Sequence, residues 1–205
     1  MIEPTEWALV ALALGVIVVR RRSTAIALLT LQSLLLAALA LALAPGRNTE
    51  FLVASVALAA KALLVGGLLV WTLRRTREQR PLVEDFAPLV RAGVAVAVAI
   101  AASALVPHFG LGQRGSEQAA VSLVVIGVAI VAMRKATLIQ ALGLLVAENG
   151  VAFAASAAAG GIPLVIELGV LFDLIVIVVV ATAFHERIFG ELGSGDATLL
   201  RGLRD

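Results

Sequence analysis

Five ionisable side chains stand inside long apolar runs of this sequence, where charged residues are rare. They are Lys61, Arg91, Glu148, Glu167 and Asp173. Carboxylates and amines bind and release protons, and enclosure in apolar surroundings changes how readily they do so. The chemistry that these residue types predict is therefore proton exchange.

Other kinds of chemistry lack the residues that they need. The chain has no Cys and two His, His108 and His185, both at predicted helix ends. Without thiolates there are no disulfides, iron–sulfur clusters or cysteine-bound zinc. The sequence also contains no Gly-rich phosphate loop, no G-x-S-x-G and no H-E-x-x-H. We expect no cofactor and no metal in this chain.

Composition identifies the surroundings of the five residues. Of 205 residues, 61% are hydrophobic and 15% are charged, whereas soluble domains average about 25% charged residues. This excludes a soluble globular domain, a disordered chain and a nucleic-acid binder. The sequence predicts an all-α integral membrane protein in a lipid bilayer.

Apolar runs separated by Pro, Gly or charge clusters predict about seven transmembrane helices. The predicted spans are residues 7–20, 24–44, 51–73, 86–107, 117–133, 136–158 and 162–185. The acidic amino terminus lacks the positive region of a signal peptide, so the first run is expected to remain in the mature protein.

The basic residues predict the orientation of these spans. Twelve of the 16 Lys and Arg residues fall in the turns after helices 1, 3 and 5 and in the carboxyl-terminal tail. The opposite side has only Arg47 and Arg114. Basic residues concentrate on the cytoplasmic side, so the amino terminus is predicted outside and the carboxyl terminus in the cytoplasm of a prokaryotic-type inner membrane.

A shift of about 112 residues aligns the two ends of the chain. Gly15 then falls on Gly127, and Lys61 falls on Asp173. We interpret this as a parallel internal repeat of three-helix units, helices 1–3 and 5–7, linked by helix 4. The predicted parts of this single membrane domain are residues 1–80, the linker helix in 81–112, the second repeat in 113–189 and a tail in 190–205.

The candidate proton-transfer residues are Glu148, Asp173, Lys61 and Glu167. At 1.5 Å per helical residue, Lys61, Glu148 and Asp173 all lie near the bilayer midplane, whereas Glu167 lies closer to the outer end of helix 7. The sequence also predicts three auxiliary polar residues, Asn149, Gln32 and Gln140. A structural polar contact, or a buried ion pair with Lys61, is the alternative interpretation of either acid.

Arg91 and the small residues of helix 6 are expected to have structural roles. Arg91 lies one turn into helix 4, from which its long side chain is expected to reach the cytoplasmic surface. Gly143, Ala147, Gly150 and Ala154 would let a neighbouring helix pack closely against helix 6.

Residues 133–188 resemble a known family of membrane subunits. The similarity lies in A-E-N-G around Glu148, P-L-V-I-E-L-G-V-L-F-D ending at Asp173, and the exit H-E-R-I. These motifs resemble component E of hydrogenase-4, and the same three helices are similar to the K subunit of respiratory complex I and the C subunit of Mrp antiporters. The resemblance implies that Glu148 and Asp173 match the acids linked to proton translocation, although Asp173 stands where the K subunit has Glu.

The resemblance implies a non-catalytic subunit of a hydrogenase-4, formate-hydrogenlyase or complex I-like assembly. Its expected partners are antiporter-like and other membrane subunits and a cytoplasmic hydrogenase-like arm, which would hold the nickel–iron and iron–sulfur centres. A subunit of a Mrp-type cation/proton antiporter, a self-contained small-molecule carrier and a purely structural assembly subunit are the alternatives.

Overall fold

The computed structural model describes residues 2–43, 49–76, 87–105, 107 and 114–157, with Val178, Val179, Thr182, Ala183, Glu186, Arg187 and Gly190. Over this part of the chain the fold is helical. The helices are α1 (Ile2–Val18), α2 (Arg22–Leu43), α3 (Thr49–Thr76), α4 (Pro88–Leu105), α5 (Arg114–Met133) and α6 (Thr137–Ala157).

Five of these helices, α2 to α6, are long and apolar enough to cross a bilayer. The apolar part of α1, Pro4–Val18, is shorter. A helix suits apolar surroundings because it satisfies its own backbone hydrogen bonds. The protein is therefore a multi-pass, helical membrane protein, as its composition predicts.

The helix boundaries follow residues that begin or end helices. Pro88 is the first residue of α4, a position where proline's missing N–H costs nothing. Leu105 ends the same helix two residues before Pro107. The predicted seventh span, 162–185, lies mostly outside the described residues, although Val178, Val179, Thr182 and Ala183 within it are helical.

Two helical hairpins form the centre of the bundle. The three-residue turns 19–21 and 134–136 connect α1 to α2 and α5 to α6. The hairpins pack side by side, with α1 against α5 and α2 against α6. Helix α3 packs along α2, and α4 packs along α5 and α1.

The α5–α6 hairpin is packed backbone to backbone through glycine, as the small residues of α6 predict. A methyl group added at Gly127 would lie 2.6 Å from the Gly143 carbonyl oxygen and 2.7 Å from Ala147 Cβ. One added at Gly150 would lie 2.8 Å from Leu123 Cβ. Only glycine allows helices this close, so these residues fix how far apart α5 and α6 lie.

A buried arginine joins the hairpins at the end of the bundle where α1 and α5 finish. Arg134, 2% exposed, donates hydrogen bonds to the carbonyl oxygens of Ile17 (3.4 Å) and Val19 (3.0 Å). It thereby satisfies acceptors that the end of α1 leaves without helical partners.

The prediction that Arg91 reaches the surface is wrong. Only 1% of the residue is exposed, and it lies on the face of α4 that also buries Ala95 and Ala99. The prediction treated α4 as an isolated helix, in which a long side chain extends along the lipid toward water. Because α4 packs against α5 and α1, that face is enclosed by protein instead.

Candidate functional site

Lys61 and Glu148 form a buried ion pair between α3 and α6. The Lys61 Nζ donates a hydrogen bond to the Glu148 Oε2. The two side chains are 3% and 11% exposed. Both residues lie near the middle of their helices, α3 spanning residues 49–76 and α6 spanning 137–157. Lys61 and Glu148, which are predicted to lie at the same depth, are therefore in direct contact.

A group of neutral polar side chains continues from this pair. Asn149, next to Glu148 in α6, donates from its Nδ2 to Ser33 Oγ (2.9 Å) and to Gln32 Oε1 (3.2 Å). The Gln32 Nε2 donates in turn to the Leu9 carbonyl oxygen of α1, at 2.9 Å. We call these five residues, Gln32, Ser33, Lys61, Glu148 and Asn149, the central polar cluster.

The central polar cluster crosses the bundle sideways. It begins on α3, passes through neighbouring residues of α6 and α2 and reaches the backbone of α1. Gln32 is fully buried and Asn149 is 2% exposed, so their amides are partnered by protein. In α2, which spans residues 22–43, Gln32 and Ser33 are also central residues.

This arrangement brings two groups of opposite charge into contact inside the bundle. Electrostatic attraction is stronger in a low-dielectric interior than in water, so the contact between Lys61 and Glu148 joins α3 to α6. Protonation of Glu148 would end the ion pair and leave the positive charge of Lys61 without its partner. A proton arriving at Glu148 therefore changes the electrostatics of the whole cluster.

Not every predicted member of the site lies in this cluster. Gln140 lies at the α5–α6 turn, where its Nε2 donates to the carbonyl oxygens of Arg134 (2.8 Å) and Val131 (3.4 Å). It caps the end of α5. Asp173 and Glu167 lie outside the described residues, so their roles stay predictions.

Two polar contacts between helices are not predicted from the sequence. Ser33 belongs to the central polar cluster, and its position beside Gln32 inside an apolar run was the available signal. Glu6 accepts a hydrogen bond from Ser116 between α1 and α5. From the sequence, Glu6 is only one acidic residue of the amino terminus, because the sequence does not show that α1 extends over it.

The described residues do not include a metal-binding group of three or more His, Cys, Asp or Glu. No known family model matches this sequence, and no solved structure matches it. The chain is 32% identical over 147 residues to the uncharacterized protein Rv0085 of Mycobacterium tuberculosis. This similarity covers 67% of each chain, and the chain therefore belongs to the same protein family as Rv0085.

Proposed function

We propose that the chain is a non-catalytic membrane subunit of a hydrogenase-4, formate-hydrogenlyase or complex I-like energy-converting assembly. In this proposal Glu148 and Asp173 bind and release protons on a path coupled to redox chemistry in partner subunits. The observation that carries it is the ion pair between Lys61 and Glu148, buried at the centre of the bundle. The resemblance of residues 133–188 to component E of hydrogenase-4 supports the same assignment.

The proposed membrane arrangement has seven spans. The amino terminus is outside and the carboxyl terminus is in the cytoplasm of a prokaryotic inner membrane. The concentration of basic residues in alternate turns supports this orientation. The helical state of Val178, Val179, Thr182 and Ala183 is compatible with a seventh helix.

The proposal includes a parallel repeat of α1–α3 and of α5, α6 and the seventh helix. The turns 19–21 and 134–136, which follow the first helix of each unit, are 115 residues apart, close to the shift of about 112 that aligns the sequence. The aligned glycines also occupy similar places, since Gly15 faces Leu28 of α2 and Gly127 faces α6. In this arrangement Asp173 would stand on the seventh helix where Lys61 stands on α3.

The proposed role of Lys61 is to control the charge of Glu148. While Glu148 is ionised, the lysine holds it through the ion pair. When Glu148 takes up a proton, the ion pair ends and Lys61 loses its partner. A proton could then pass to Asp173 along water molecules. Lys61 and Glu167 are therefore proposed as accessory members of the path.

The proposed partners hold the redox centres. Antiporter-like and other membrane subunits would pack against this chain, and a cytoplasmic hydrogenase-like arm would hold nickel–iron and iron–sulfur centres. A subunit of a Mrp-type cation/proton antiporter is the alternative assembly. Copurification in mild detergent followed by mass spectrometry distinguishes them, because a hydrogenase-like subunit favours the first and only antiporter subunits favour the second.

A purely structural role in assembly is the second candidate function, and the same ion pair favours it. Lys61 and Glu148 join α3 to α6, and such an interhelical contact holds helices together without moving protons. The two functions predict different effects when an acidic side chain is replaced by an uncharged one of the same size. A structural role needs the helices to stay together, whereas a path needs a group that binds a proton.

Proton pumping by the assembled complex in vesicles tests the proposal. Glu148→Gln and Asp173→Asn keep the size of each side chain and remove the proton-binding group. We expect both to lower pumping by about a hundredfold or more while the complex still assembles. Glu186→Gln is the matched control, because Glu186 pairs with the exposed Arg75 at 3.7 Å, outside the central polar cluster.

The outcome separates the two candidate functions. Undiminished pumping by both variants in fully assembled complexes would overturn the proton path and leave the structural role. A sodium requirement for transport would favour the antiporter assembly.

A further inference from the structure

Glu6 is another buried carboxylate, and it lies outside the central polar cluster. It stands near the beginning of α1, at the end of the bundle opposite the turn after α1 that contains Arg20 and Arg21. Only 1% of the residue is exposed. Its Oε1 accepts a hydrogen bond from the Ser116 hydroxyl of α5 at 2.8 Å.

The other oxygen of Glu6 has no hydrogen-bond partner among the residues that the structure describes. This atom, Oε2, is buried. Arg114, two residues before Ser116 in α5, lies 3.8 Å from a carboxylate oxygen of Glu117. An ionised carboxylate that is removed from water and held by one neutral hydroxyl is strongly disfavoured. Oε2 is therefore an acceptor atom at this end of α1 that the described residues leave open to a proton or a water molecule.

Glu6 also lies next to the central polar cluster along α1. Residues three apart in a helix lie on the same face, so Glu6 is one turn from Leu9. The Leu9 carbonyl oxygen accepts the hydrogen bond from Gln32, and Gln32 is bonded to Asn149. Glu6 is therefore the ionisable group next to the α1 end of the cluster, displaced toward the end of the bundle that contains Arg114.

We propose that Glu6 is a proton-exchange group that connects the central polar cluster with the aqueous side on which α1 begins. This inference rests on the proposed function of the chain. Glu6 takes a proton on Oε2 and passes it between that side and Glu148, with water molecules completing the path past the amides of Gln32 and Asn149. Ser116 is the positioning residue, since its hydroxyl holds Oε1 and leaves Oε2 as the exchanging atom.

Two substitutions separate this role from a contact that only joins α1 to α5. Glu6→Gln keeps an oxygen that accepts from Ser116 and replaces Oε2 by an amide that binds no proton. Ser116→Ala removes the hydrogen bond and keeps the carboxyl group. We expect Glu6→Gln to lower proton pumping in vesicles about tenfold or more and Ser116→Ala to lower it about twofold or less. A contact that only joins helices predicts the reverse order.

A third variant covers the case in which Glu6→Gln does not assemble. Glu6→Met has a similar length and removes the buried polar group altogether, which spares the fold the cost of an unpaired amide. We expect it to pump as poorly as Glu6→Gln. Wild-type pumping by either variant in an assembled complex overturns the inference.

Glu148→Gln, measured in the same preparations, separates a failure of the role of Glu6 from a failure of the proposed function. If Glu148→Gln stops pumping and Glu6→Gln does not, the role of Glu6 is wrong and the proposed function stands. If Glu148→Gln and Asp173→Asn both pump normally in assembled complexes, the proposed function fails.

Discussion

The two hairpins at the centre of the bundle differ in how closely their helices approach. In α5–α6, a methyl group on Gly127 would meet a backbone oxygen at 2.6 Å. In α1–α2, a methyl group on Gly15 would meet the end of the Leu28 side chain at 3.0 Å. A side-chain end can rotate away, whereas helical backbone cannot. The α5–α6 hairpin is therefore the more rigid of the two.

The more rigid hairpin also carries the acid of the central polar cluster. Glu148 and Asn149 of α6 belong to the central polar cluster, whereas the positions 112 residues earlier in α2, Leu36 and Ala37, are apolar and buried at 1% and 3% exposure. A buried charge needs its partner in a fixed place, because displacement leaves it unpaired. The helices therefore pack closely around Glu148, and they pack less closely around the apolar residues at the matching place in α2.

Removal of Lys61 is expected to have the largest effect on stability. Lys61→Met leaves Glu148 buried without its cation, and breaking one side of a buried pair costs about 3–5 kcal/mol. The double variant Lys61→Met with Glu148→Gln removes both charges and makes the centre of α6 more like that of α2. We expect it to regain most of the loss in denaturant unfolding of the detergent-solubilised protein. Equal unfolding free energies for the single and double variants would refute this account.

The glycine comparison predicts a smaller difference. Gly127→Ala places a methyl group against the backbone of α6, and overpacking of this kind costs about 1–3 kcal/mol. Gly15→Ala meets only Leu28, and we expect a change within about 0.5 kcal/mol. Thermal unfolding of the two variants in the same detergent measures both. An equal loss of stability would show that the two hairpins are equally tight.

The hydrogen bonds of Asn149 are expected to contribute least of the three. Asn149→Ala removes both bonds from α6 to α2, and such interhelical bonds in membrane proteins contribute about 0.6–2 kcal/mol. The matched control on the same helix is Ser156→Ala, because the Ser156 hydroxyl bonds to the Ala152 carbonyl oxygen of its own helix at 2.8 Å. Denaturant unfolding that ranks Ser156→Ala as the more harmful change would contradict the proposed importance of the cluster.

The helices themselves follow closely from the sequence. Predicted spans such as 136–158 and 24–44 agree with α6 (Thr137–Ala157) and α2 (Arg22–Leu43), because apolar runs and charge clusters mark both ends. Helix α3 extends three residues beyond the predicted end at 73. Arg74 and Arg75 are good helix formers, and Arg75 lies 5.1 Å from the centre of the Trp71 ring, so the charged turn stays helical.

Which side chains contact each other in the site is harder to predict from the sequence. Spacing along a helix gives depth, and it correctly placed Lys61 and Glu148 at one level. Spacing does not give the rotation of one helix against another, so it left the ion pair as one alternative among several. It also grouped Gln140 with Gln32, although Gln140 caps the α5–α6 turn, because both read as isolated amides in apolar runs.

The bonds of Arg134 have a consequence for how the protein is made. A ribosome synthesises α1 first, yet the carbonyl oxygens of Ile17 and Val19 receive their hydrogen bonds from a side chain 117 and 115 residues later in the chain. The first hairpin therefore enters the membrane with its final contacts still missing. The last turn of α1 becomes complete only when α5 and the turn after it have been translated and have docked. The end of α1 therefore matures late, although the helix itself is inserted early.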